Sequence, residues 1–178
     1  MDIIENQFFS KPRSHISLRN YVTSLLESGR IIEASFFCNQ MLQETPKNKC
    51  ANKLAFLLAI RRMDPSVLRY DEALANSSME NKERFILHCR YYFTFRNRGR
   101  LKDSLNAAMD EGLSDLESLN IVIESVLWVN DIFLTRKFIS LYFTGKFKFL
   151  PQTEKEIKQI SLTRLVEIFT SMSRHVHG

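Results

Sequence analysis

Residues 26–46, LESGRIIEASFFCNQMLQETP, restrict the fold more than any other stretch of this chain. One apolar-periodic segment ends in Glu-Ser-Gly, and a second starts two residues later with an alanine near its beginning. Glycine takes the left-handed backbone conformation without a Cβ clash, so Gly29 predicts a helix stop. Pro46 cannot continue a helix and closes the second segment. Two helices joined by so short a turn lie antiparallel, and the small Ala34 lets them approach closely. A similar stretch, FRNRGRLKDSLNAAMD, begins at Phe95. Gly29 and Gly99 lie 70 positions apart (99 − 29), two steps of 35. The pattern predicts stacked helical hairpins, a scaffold suited to binding.

The rest of the chain extends this reading. Residues 1–13 form a lead-in, with one helical turn expected at 3–9, and residues 14–178 form a single helical domain. A helix is expected at 17–27, where Leu18, Tyr21, Val22, Leu25 and Leu26 follow the i, i+3, i+4 rule. Others follow at 31–43 and 48–62. Asp64 and Pro65 suit the start of the next, which runs through Val67, Leu68, Leu74 and Ala75. Ser77 and Glu80 have the spacing of a capping box, opening a helix to about residue 97 that Arg98-Gly99 ends. A helix at 101–110 stops at Gly112. A second capping box, Ser114 and Glu117, opens a helix to residue 129. Residues 132–143 form the next, stopped by Gly145, and a final helix is expected at 153–173. KFKFLP, from Lys146, has the composition of a strand but no partner strand, and is read as an extended connector.

The unit at 15–46 resembles a tetratricopeptide repeat, whose period is about 34 residues. In that likeness Gly29 is the turn glycine, Ala34 the small second-helix residue and Pro46 the closing proline. The unit at 85–111 is similar, with Tyr91, Tyr92, Phe95 and Gly99, but Ser104 stands at the small position and the closing proline is missing. In the last unit Asn130 stands at the turn and Thr135 at the small position. The resemblance implies a right-handed superhelix of antiparallel hairpins, followed by a C-terminal helix. It also implies that first helices line a groove. The groove residues would be Arg19, Thr23 and Leu26 in the first unit, and Cys89, Phe93 and Arg96 in the later one.

Composition and motifs bear on function. Hydrophobic residues are 44% and charged residues 25%, as in ordinary globular chains. The net charge of +5 mildly favours acidic partners and falls short of a dedicated nucleic-acid binder. Cys38, Cys50 and Cys89 form no CxxC pair and read as buried reduced thiols, which suggests a cytoplasmic protein. No apolar run has the length of a signal peptide or membrane span. The four histidines fit no metal-ligand spacing, and the glycines form no phosphate-cradling loop. We therefore expect no enzyme, no cofactor and no metal site.

Arg90, Arg96, Arg98, Arg100 and Lys102 alternate with Tyr91, Tyr92, Phe93 and Phe95. Such a patch could stack on bases, grip an acidic peptide, or be a helix core with a basic end. The expected function is a protein-interaction adaptor or chaperone holding a client peptide or partner subunit, as a homo- or hetero-oligomer. At the level of architecture it resembles the chaperones of bacterial secretion systems. The alternative is a regulatory or nucleic-acid-binding module using residues 90–102.

Overall fold

A computed structural model describes residues 15–151 and 162–176 of the chain. The expected turn at 3–9 and the start of the last helix at Thr153 lie outside the described residues. The described residues are all-α: α1 His15–Glu27, α2 Ile31–Glu44, α3 Lys49–Arg62, α4 Val67–Ala75, α5 Asn81–Thr94, α6 Arg98–Glu111, α7 Leu119–Val129, α8 Ile132–Phe143 and α9 Leu162–Val176. None of these helices is long and apolar enough to cross a membrane. The chain divides into two compact units, Met1–Met79 with α1–α4 and Glu80–Gly178 with α5–α9.

Each unit contains two helix hairpins, and each hairpin turns at one left-handed residue. These are Gly29 (φ 77°), Met63 (φ 52°), Arg96 (φ 56°) and Asn130 (φ 53°). Their spacings are 34, 33 and 34 residues (63 − 29, 96 − 63, 130 − 96). In the first three turns the next amide donates to the carbonyl five residues back: Arg30 to Leu25 at 2.8 Å, Asp64 to Ala59 at 2.9 Å, and Asn97 to Tyr92 at 2.9 Å. This is the Schellman closure, which satisfies carbonyls that a helix end leaves unpaired. Asn130 makes a single bond, its amide donating to the Val126 carbonyl at 3.2 Å.

The third turn of this series, at Arg96, corrects the sequence reading. Gly99 is not a turn residue; it lies in the first turn of α6, and α5 stops at Thr94. Asn97 caps α6, its side chain accepting from the Arg100 amide at 3.2 Å. A side-chain cap fixes a helix start more firmly than a glycine two residues later, which needs no special conformation there. The true period is therefore 34, 33 and 34, not two steps of 35. Five residues beyond the turn, where Ala34 stands in the first hairpin, the third hairpin has the fully buried Leu101 instead of Ser104. In the fourth hairpin that place belongs to the buried Thr135, as the resemblance implied.

Both capping boxes are also corrected. The Ser77 hydroxyl donates to the Leu74 carbonyl at 2.7 Å and accepts from the Met79 amide at 3.2 Å, so it closes α4. At the second, the backbone of 113–116 pairs with the KFKFL segment. Leu116 donates to Lys148 at 3.2 Å, Lys148 to Leu113 at 3.4 Å, and Leu150 to Leu116 at 3.0 Å. The connector thus has a partner, an isolated parallel bridge between Leu116 and Phe149. That pairing holds 113–116 out of helix and delays α7 to Leu119. It also drives Phe147 and Phe149 into the core, where their rings meet edge-on with centroids 5.3 Å apart.

The repeat shows in the core. Counting back from each left-handed residue, the eleventh position is buried in every hairpin: Leu18, Asn52, Phe85 and Leu119. So is the seventh: Val22, Phe56, Cys89 and Ile123. Positions four apart on a helix share a face, so these rows are the inward stripe of each first helix. Asn52 is the polar member, and its amide donates to the carbonyls of Pro46 and Asn48, both at 2.9 Å. In the first unit Ala34 is fully buried among Leu18, Tyr21, Val22 and Leu25, and Tyr21 meets Phe37 edge-on at 5.1 Å. In the second, α9 adds the buried Leu165 to the core, and the Arg136 guanidinium sits 5.5 Å from the Phe169 ring centre.

Candidate interaction surface

The first helices carry their outward residues at fixed offsets too. Arg19, Thr23 and Leu26 lie ten, six and three positions before Gly29. On α1, Arg19 is exposed and its Nη1 lies 3.9 Å from Cys50 Sγ on the neighbouring α3. Thr23 is half-buried, and its hydroxyl donates to the Arg19 carbonyl at 2.9 Å. Leu26 is half-buried against the core of its unit. The same offsets give Lys53, Leu57 and Ile60 on α3, where Ile60 is buried, Ile86, Arg90 and Phe93 on α5, and Asn120, Glu124 and Leu127 on α7.

This register corrects the second trio expected from the sequence. Counting from Gly99 named Cys89, Phe93 and Arg96; counting from Arg96 gives Ile86, Arg90 and Phe93. Cys89 is fully buried, packs near Ser125 of α7, and cannot touch a guest. Burial pushes its thiol up to about 12, as it does that of Cys38. Cys50, also expected to be buried, is only partly so. Phe93 stays in the outward set, and Arg96 is exposed at the turn.

The basic and aromatic residues near 90–102 separate into three groups. Tyr91 and Tyr92 lie together, ring centroids 4.8 Å apart, and Tyr91 also meets Phe95 edge-on at 4.9 Å. Lys102 reaches Asp131 at the start of α8, Nζ to Oδ2 2.5 Å. The third group is a cluster that the sequence reading missed. Arg96 Cζ lies 5.3 Å from the Phe93 ring centre and 5.6 Å from that of Trp128, while Arg98 Cζ lies 5.1 Å from Trp128. Phe93 and Trp128 meet edge-to-face, 5.7 Å apart at 69°. Both guanidiniums thus lie within cation–π range of Trp128. Trp128 comes from α7, so spacing within 90–102 could not reveal it. Its position two residues before Asn130, the next hairpin turn, was the available signal.

Asp131 anchors this corner of the second unit. Its carboxyl is held below the usual carboxylate range, first by the Lys102 hydrogen bond and then by the Leu134 amide, which donates at 2.9 Å. The hydrogen bond fixes Lys102 on α6 against the α8 start. Comparison with protein families, with curated proteins and with solved structures finds no match to this chain.

Proposed function

We propose that this chain is a tetratricopeptide-like adaptor or chaperone that holds a protein or peptide partner against the outward faces of its first helices. The observation that carries this reading is the run of left-handed turns at 29, 63, 96 and 130, spaced at the tetratricopeptide length. A constant spacing repeats the same register on the first helices of each unit, which is how a repeat offers a peptide similar contacts within that unit. Those positions mix half-buried apolar groups such as Leu26, Ile86 and Phe93 with exposed charges such as Arg19 and Arg90. Apolar anchors with polar neighbours suit an extended or helical peptide.

The test places a photo-crosslinking side chain at Thr23, at Arg90 and, as a control, at the exposed Gln43 of α2, in cells that make the protein. Adducts with a protein at positions 23 and 90, weak or missing at 43, are expected. Absence of any protein adduct at 23 and 90, or equal labelling at all three, refutes the adaptor reading.

A further inference from the structure

Building on the adaptor reading, we infer that the corner formed by Arg96 and Arg98 beside Trp128 is a recognition point for an acidic segment of the protein partner. Both arginines are exposed, and neither forms an ion pair among the described residues. The neighbouring cations behave differently. Lys102 is held by Asp131, and Lys137 by Asp110 at 2.6 Å. The charges of the corner therefore take no part in the ion pairs that hold these neighbouring lysines.

Geometry adds to charge. A guanidinium laid on an aromatic ring loses mobility while its in-plane N–H edges still point outward. Those edges match a carboxylate bidentately, and less ordering entropy remains to be lost on binding. Base stacking requires an open ring face. Here Arg96 and Arg98 already lie over Trp128, and Arg96 over Phe93 as well. The corner is thus better built for carboxylates than for nucleobases. Glu124, one turn before Trp128 on α7, is an exposed carboxylate that would oppose an acidic guest.

Trp128 is the only tryptophan of the chain, so its emission reports on this corner directly. The full-length protein is titrated with a tryptophan-free oligoglutamate peptide, and separately with oligothymidylate, at low and moderate salt. Saturable, salt-weakened emission changes with oligoglutamate are expected. The double variant Arg96→Gln/Arg98→Gln should bind about tenfold or more weakly. Arg61→Gln/Arg69→Gln, which removes the same charge from exposed sites in the other unit, should bind like the parent, and Glu124→Gln more tightly. Tighter binding of oligothymidylate, no saturable response, or equal weakening by both double variants overturns the inference. None of these outcomes bears on the crosslinks at 23 and 90, so the adaptor reading stands or falls separately.

Discussion

Met63 occupies a left-handed turn at φ 52° with its side chain 57% exposed. A side chain in that conformation carries a steric penalty that glycine avoids, and an exposed one has little packing to lose. Met63→Gly should therefore raise stability by about 0.5–1 kcal/mol, after the larger unfolded-state entropy of glycine is counted. Urea melts of the two proteins would check it, and an unchanged or lower midpoint would count against the Schellman assignment. The cysteines give a second prediction. Cys38 and Cys89 are buried with thiols pushed up to about 12, whereas Cys50 is partly exposed beside Arg19. Only the thiolate reacts readily, so a thiol reagent at neutral pH should label one cysteine of the native protein, and Cys50→Ser should abolish that labelling. Labelling of Cys89 in the native state would contradict the core register.

Helix pairs are the next scale. Ala34 has no exposed surface where α2 lies on α1, so Ala34→Trp must push the two helices apart. A loss of about 3 kcal/mol is expected, at the upper end of overpacking costs, read as a lower melting temperature. An unchanged melting point would remove the packed-hairpin description. Phe147 makes the opposite case. Its ring is 1% exposed and touches those of Phe85, Phe138 and Phe149. Phe147→Ala should cost about 3–5 kcal/mol by leaving a cavity, a large effect for a residue in a five-residue connector. Thermal unfolding within 1 kcal/mol of the parent, roughly, would show that the bridge to 113–116 contributes little.

At the scale of the whole molecule, acid should destabilise the fold. Asp131 and Asp64 both have carboxyls held below the usual range: Asp131 first by Lys102, Asp64 first by the Ser66 amide, which donates at 2.9 Å. A carboxylate with a depressed folded-state pKa stabilises fully above its unfolded value, near 4, and that contribution disappears as pH falls through the folded value. Denaturant midpoints should thus be insensitive to these groups above about pH 5 and fall below pH 4. Asp131→Asn should flatten part of that acid limb; a limb identical to the parent's would show that the Lys102 contact does not support the fold.

What the sequence determined is local. The helix periodicity, the stops at Gly29, Gly112 and Gly145, and the exact span of α8 were readable because helix bonds join residues four apart and their ends answer to a few neighbours. Arg19, Thr23, Leu26 and Phe93 came from the family resemblance rather than from periodicity; Arg19 is exposed, whereas Thr23, Leu26 and Phe93 are half-buried. The tertiary structure decided the rest. Arg96 turns the chain where Gly99 was expected, because the Asn97 cap fixes where α6 starts. That three-residue shift buries Cys89. KFKFL found a backbone partner more than thirty positions upstream, and Arg96 and Arg98 found Trp128 on a different helix. Such meetings depend on how helices pack, and packing brings together residues whose separation along the chain carries no signal of their contact.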